Sequence, residues 1–255
     1  MIKLDFDAGC AVLLLDRPPA NAINAEWLTA FHAALDALHA RPDIAVLHLR
    51  SARRMFSAGA DLRLMAESLN SPAGADAMLS VAEGMQRAFD RLAAVPQVTV
   101  AEVGGAALGG GLEMALACDL RFVADEAVVG LPEARLGLLP GAGGTQRLAS
   151  LCGAALAKRL IFGTETVQGA DAVRLGIAQW HAPASELPTL VRQHVLALAS
   201  LPAAALAACK RCIDLATPPQ QAGYLAELFE TRRLYGSEST RALVHAFITK
   251  GKSSS

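Results

Sequence analysis

Aromatic residues are scarce in this chain, at 5% of its 255 positions, and charge is low and balanced: 18% charged residues leave a formal net charge of −1. That balance removes any general electrostatic case for nucleic acid or an anionic membrane surface as partner. Long apolar runs are also missing. None approaches the ~18 residues of a membrane-spanning helix, and the N-terminus, Met1-Ile2-Lys3-Leu4-Asp5, has no signal-peptide stretch. A cytoplasmic protein without membrane contact is expected. Cysteine is thin: Cys10, Cys118, Cys152, Cys209 and Cys212 are odd in number and scattered, which argues against a secreted disulfide framework. Cys209-Lys210-Arg211-Cys212 has metal or redox spacing but no second pair. It lies in an alanine- and leucine-rich stretch after Pro202, where two helix cysteines are the simpler reading. The histidines form no HxH or HExxH grouping, so no metal site is expected.

What is abundant is apolar aliphatic content, 53% hydrophobic with much of it alanine, enough for a sizeable core of closely packed helices. Short apolar strands are expected at Ile2–Phe6 and Cys10–Leu15, joined by a hairpin signal, and at Ile44–Leu49, Val98–Val103, Leu120–Ala124 and Ala127–Val129. Helical spacing is read over Glu26–Ala40, from about Asp61, and over Ala77–Ala94, Gly110–Cys118 and Thr145–Cys152. After Gly153 strand signals almost vanish and six helices are read, ending with Gln220–Tyr235 and Ser239–Lys250. The expectation is an α/β core over 1–195 followed by a helical region over 196–255, with the boundary somewhere in 185–205.

Two glutamates stand out. Glu113 follows Gly109-Gly110-Gly111-Leu112, and Glu133 follows Gly130-Leu131-Pro132. Two carboxylates can share out proton transfers that one cannot, and a glycine run at a helix start frees backbone N–H groups to hold developing negative charge. An ordinary first-turn glutamate is the competing reading of Glu113. Ser57-Ala58-Gly59-Ala60-Asp61 is a second loop of small residues entering a helix. Asp61 there reads as an N-cap, or else the Ala60 N–H joins the Gly110 N–H in an oxyanion hole. Gly141-Ala142-Gly143-Gly144-Thr145-Gln146 is neither a Walker loop nor a GxGxxG fingerprint, and no GxSxG elbow exists.

Taken in order, Arg17-Pro18-Pro19-Ala20-Asn21-Ala22-Ile23-Asn24, Phe56–Leu62, Ala107–Glu113, Cys118-Asp119, Gly130–Glu133 and Pro140–Leu148 resemble the enoyl-CoA hydratase/isomerase (crotonase) family. The resemblance implies a spiral of ββα units with a C-terminal α-helical trimerisation region, acyl-CoA thioester substrates, and a homotrimer or dimer of trimers. It implies no cofactor beyond the CoA carried by the substrate. By this resemblance the thioester oxygen is held by the N–H groups of Ala60 and Gly110, the hydratase carboxylates are Glu113 and Glu133, and Gly141 lies near the catalytic water. Ala22, Ala58, Ala60, Asp61, Leu62 and Arg63 would line the adenine and pantetheine path. Phe247 and Lys250 match a C-terminal pair that reaches CoA, often that of a neighbouring subunit, while Arg53 and Arg54 either help with CoA phosphates or are solvated. Two departures stand out: Leu64 replaces a frequent acidic residue, and Ser237–Arg241 lacks an acidic-glycine run.

Because both acids are present, the expected reaction is hydration of a 2-enoyl-CoA in fatty-acid or related acyl-CoA degradation. A Δ3,Δ2-enoyl-CoA isomerase or another crotonase reaction is the alternative within the family. A non-catalytic or RNA-binding protein on this fold is the alternative outside it.

Overall fold

The structure is a computed structural model that describes residues 1–7, 9–69, 74–215 and 221–252. Strands β1 (Ile2–Asp7) and β2 (Cys10–Leu15) pair antiparallel, as the hairpin signal predicts. Beyond β2 every pairing in the main sheet is parallel, through β3 (Val46–Ser51), β4 (Val98–Val103), β6 (Leu120–Ala124) and β9 (Trp180–Ala182), in the order β1-β2-β3-β4-β6-β9. Parallel neighbours need a crossover, and each crossover here carries helix. Helix α1 (Ala25–His39) follows β2, and α2 (Leu62–Leu69) and α3 (Gly74–Ala94) follow β3. Helix α4 (Gly110–Leu116) follows β4. Helices α5 (Gly144–Cys152), α6 (Ala154–Phe162) and α7 (Gly169–Arg174) follow β6.

A second, shorter row of extended segments runs beside the main sheet. It contains parallel bridges Ile23–Ala60 and Ser57–Ala107, then β5 (Ala107–Leu108) parallel to β7 (Val129–Gly130), which pairs antiparallel with β8 (Thr166–Val167). Successive turns of the chain thus place one segment in the long sheet, one in the short row, and then a helix. This is the spiral of ββα units that the sequence implied.

Strands buried on both faces read as continuous apolar runs, and β2 does so because helices cover the sheet; in β3 the run is broken by His48, which is buried against Glu102 of β4 at 2.9 Å. Trp27, Phe31 and Leu38 of α1 are fully buried, and so is Val191 of α8 (Leu187–Ala199), which packs across β2, β3, β4 and β6. Residue 195, where the sequence division was placed, therefore lies inside a helix that belongs to the sheet's cover. Helix α9 (Ala203–Asp214) is anchored by Lys210, whose Nζ donates to Asp119 Oδ2 at 2.8 Å and to the Gln97 carbonyl at 3.2 Å. Helix α10 (Gln221–Tyr235) packs on α3 and α5. Helix α11 (Glu238–Lys252) packs on α2 and on a 3-10 turn at Glu133–Leu136.

The region after Gly153 is less purely helical than its sequence suggests. Strands β8 and β9 are two and three residues long, and short segments carry no periodicity to detect. The sheet supplies what the sequence lacks: Trp180 of β9 stacks on Phe122 of β6 with ring centroids 4.4 Å apart. Among the described residues no single helix is long and apolar enough to cross a membrane.

Candidate active site

Backbone register brings the site together. Ser57 bridges Ala107, and Ala107 is paired with Val129, so three turns of the spiral are aligned at these residues. Three positions further along each turn lie Ala60, Gly110 and Pro132, with Glu133 next. The first two turns meet closely: a Cβ placed on Gly110 would lie 3.3 Å from the Gly59 Cα and 3.6 Å from the Ala60 nitrogen. Gly59 has φ +82, and a Cβ there would sit 2.8 Å from the Gly110 nitrogen, so glycine is required on both counts. The Ala60 and Gly110 N–H groups donate to no described group. Gly110 opens α4 and Ala60 stands just before α2, where unpaired N–H groups and the helix dipole favour an anion.

The Arg17–Asn24 segment fixes this loop from behind. Asn21 is fully buried, and its Nδ2 donates to Ser51 Oγ at 2.8 Å and to the Phe56 carbonyl at 3.0 Å. The Ser57 hydroxyl donates to the Asn21 carbonyl at 2.8 Å, and Ile23 N–H donates to Gly59 O at 2.8 Å. Asp61 behaves as the cap its sequence suggests: Oδ1 accepts from Arg63 N–H at 3.3 Å, while Oδ2 pairs with Arg17 at 2.9 Å.

The two glutamates differ in how they are held. Glu113 is buried, and its Oε1 accepts from the N–H groups of Ala142 and Gly144, both at 2.8 Å. Oε2 has no partner among the described residues. Burial pushes its acidity constant well above the usual carboxylate value, followed by the charges of Glu133 and Glu227, against the two backbone donors. Glu133 is partly exposed as a residue, yet its Oε2 is enclosed without a hydrogen-bond partner. Burial foremost, with the charge of Glu227 adding to it, raises Glu133 to about 7. Its Oε1 lies 2.9 Å from where a Gly109 Cβ would stand, and Gly109 has φ +53, so the glycine run also makes room for the opposing acid.

Both carboxylates line one cavity of about 440 Å³, together with Ala58, Ala60, Leu62, Gly110, Gly141 and Phe247. Much of the remaining wall is Met, Leu, Val and Ala. Of the other sequence candidates, Ala22, Asp61 and Arg63 stand outside this lining; Asp61 is engaged by Arg17, and Arg63 is exposed. Arg53 pairs with Asp16 at the surface, and Arg54 is exposed. The Lys250 side chain lies outside the described residues. Phe247, 55% exposed, lines the cavity of its own chain. Leu64 points away at 44% exposure, so its departure from the family pattern does not alter the chamber wall.

Two residues at the site were not found in the sequence. Tyr235, at the end of α10, lines the cavity, and burial together with the charges of Glu113 and Glu133 raises its hydroxyl. Glu227, about two turns earlier, is a third buried carboxylate. A signal existed: Gly223, Glu227, Thr231 and Tyr235 fall four apart on α10 and share one face. A glutamate among Glu230, Arg232 and Arg233 otherwise reads as solvated.

Fold and chamber define a class, an α/β spiral that presents two glutamates and two unpaired N–H groups to an apolar cavity. The sequence model of the enoyl-CoA hydratase/isomerase family matches residues 5–254, and the chain belongs to that family. It is 34% identical over 258 residues to a Mycobacterium bovis protein named "Probable enoyl-CoA hydratase", covering 99% of this chain and 91% of that one. It is 40% identical over 203 residues to the mouse mitochondrial enoyl-CoA hydratase domain-containing protein 2, covering 78% of this chain and 67% of that one. The solved structure of an enoyl-CoA hydratase from Mycobacterium avium superposes with a TM-score of 0.86 at 25% identity, covering 96% of this chain and 97% of that one.

Proposed function

We propose that the protein hydrates a 2-enoyl-CoA thioester, adding water across the 2,3 double bond. The observation that carries this reading is the convergence of Glu113, Glu133 and the Ala60 and Gly110 N–H groups on one apolar cavity. The thioester oxygen accepts from the two N–H groups, which stabilise the enolate by roughly 3 kcal/mol each. Burial favours the acid form of Glu113, but the two N–H groups at Oε1 favour its anion, and it acts as the carboxylate; its Oε2 takes a proton from water as the water oxygen bonds to Cβ. Glu133, raised to about 7 with Oε2 lacking any donor, is the acid, and its proton goes to Cα. Exchange with solvent then restores the starting protonation. The reading requires no cofactor beyond the substrate's own CoA.

The exposed apolar side chains of Ile213, Leu215, Leu225 and Phe229 on the C-terminal helices support a homotrimer, or a dimer of trimers, as the working assembly. The decisive assay follows loss of enoyl absorbance with crotonyl-CoA and identifies products from 2-enoyl and 3-enoyl thioesters. Glu113→Gln and Glu133→Gln should each lower hydration by about 100-fold or more in a folded protein. Double-bond migration without hydration, or near-wild-type turnover in either variant, would overturn the assignment.

A further inference from the structure

Glu227 does not line the cavity and is 4% exposed, yet its contacts reach the centre of the site. Along the Gly141–Thr145 loop, successive N–H groups point to opposite sides. Ala142 and Gly144 donate to Glu113, both at 2.8 Å, while Gly143 and Thr145 donate to Glu227 at 2.7 and 3.2 Å. The Thr145 hydroxyl donates to Oε1 of Glu227 at 2.5 Å, and Gln86 Nε2 donates to Oε2 at 3.1 Å. The same Gln86 amide donates to the Gly141 carbonyl at 3.0 Å, tying the loop's first residue to the cluster. Burial raises Glu227, but each of the four hydrogen bonds it receives, from Gly143 and Thr145 N–H, the Thr145 hydroxyl and Gln86, works against that shift, so the arrangement suits a carboxylate and not a carboxylic acid.

We infer that Glu227 is a positioning residue for the hydration proposed above: its ionised carboxylate and that of Glu113 grip alternate N–H groups of one loop, and so aim Glu113. A second effect follows from charge. The titratable groups that feel the Glu227 charge are Glu113 from α4, Glu133 from the 3-10 turn and Tyr224 of its own helix; Arg147 of α5 acts on Tyr224 and is paired with Asp90 of α3. The Glu227 charge raises both Glu113 and Glu133, so removing it lowers them.

Glu227→Gln preserves volume but sets an amide donor against the loop's N–H donors. In the folded variant kcat should fall about 10- to 100-fold, as for a displacement near 1 Å, with KM changed less than about threefold. The alkaline limb of kcat, set by Glu133 near 7, should move to lower pH. Glu227→Asp keeps charge while shortening reach, so it should lower kcat and leave that limb in place. A titration of the Glu133 carboxyl by 13C NMR, in wild type and Glu227→Gln without substrate, reads the same shift independently of turnover. Unchanged kcat and an unchanged Glu133 titration in folded Glu227→Gln would overturn the inference. So would a lowered Tm with kcat restored to wild type on cooling, which marks a structural role alone. If wild type hydrates no enoyl-CoA, the functional reading fails while the NMR titration still tests Glu227.

Discussion

Two parts of the molecule reach the cavity by different means. The spiral delivers Ala60, Gly110 and Glu133 by backbone register, through aligned pairings at Ser57, Ala107 and Val129. The C-terminal helices deliver Tyr235 and Phe247 as side chains projected from helix faces, with Glu227 behind the loop. Register leaves no slack, because shifting one turn moves every residue aligned with it. A side chain on a covering helix can move while the backbone beneath stays put. Substitutions in the spiral should therefore break the protein, and substitutions in the cover should tune it.

The largest effect is expected at Gly111, where a Cβ would lie 2.3 Å from the Ser57 carbonyl oxygen and 2.9 Å from its carbon. Both are backbone atoms and neither can rotate away. Gly111→Ala should cost about 3 kcal/mol or more, seen in calorimetry as a Tm lowered by roughly 6–12 °C. Hydration should be lost even below that Tm, because Ser57 and Ala60 share one loop. Gly104→Ala is the control, since nothing lies within 4 Å of its added Cβ. Equal melting of the two variants would mean that the short row has slack after all.

Asn21 supports the same loop through side-chain bonds and holds φ +50. Asn21→Ala leaves the Phe56 carbonyl without that donor and strains the backbone, at a cost of about 3 kcal/mol in urea unfolding. Asn21→Gly removes the strain but not the lost bonds, and should be about 1 kcal/mol more stable than the alanine variant. If glycine shows no recovery, the left-handed conformation contributes nothing and the hydrogen bonds account for the whole loss.

Glu133 couples the spiral's chemistry to its stability. Its acidity constant rises from the ordinary 4.5 to about 7, so the folded protein binds its proton more tightly than the unfolded chain does. The resulting stabilisation is complete below about 4.5 and is lost as pH climbs through about 7, a change of roughly 3 kcal/mol. Glu133→Gln cannot lose a proton. Its Tm relative to wild type should rise between pH 5 and pH 8, by roughly 5–10 °C. A constant difference across that range would show that Glu133 is not held in its acid form by the fold.

Much of this was legible in sequence wherever local pattern and tertiary structure agree. The apolar runs at Cys10–Leu15 and Val98–Val103 are strands, and the helices from α1 to α11 begin within a few residues of their periodic segments. Glu113 and Glu133 could be singled out because each follows a backbone-shaping segment. Convergence could not be read, because the Ser57–Ala107–Val129 alignment is a property of paired strands that are a single bridge or two residues long. Glu227 was hidden for a different reason. Its burial is decided by N–H groups of a loop more than 80 positions away, and nothing in its own neighbourhood announces them.

The smallest effect is expected at Phe247, on the covering side. The ring lines the cavity but is 55% exposed, so truncation removes little buried area and Phe247→Ala should change stability by about 0.5 kcal/mol or less. Its ring carries no polar atom, so it can neither move a proton nor donate to a thioester oxygen. What it offers is apolar contact that substrate and transition state experience alike. Such uniform binding appears in KM and not in kcat. The expected result is a KM for enoyl-CoA raised about three- to tenfold, with kcat within a factor of about two, since one partly buried aromatic ring is worth about 1 kcal/mol. A collapse of kcat would mean that α11 shapes the reacting geometry itself, and that the cover is as unforgiving as the spiral beneath it.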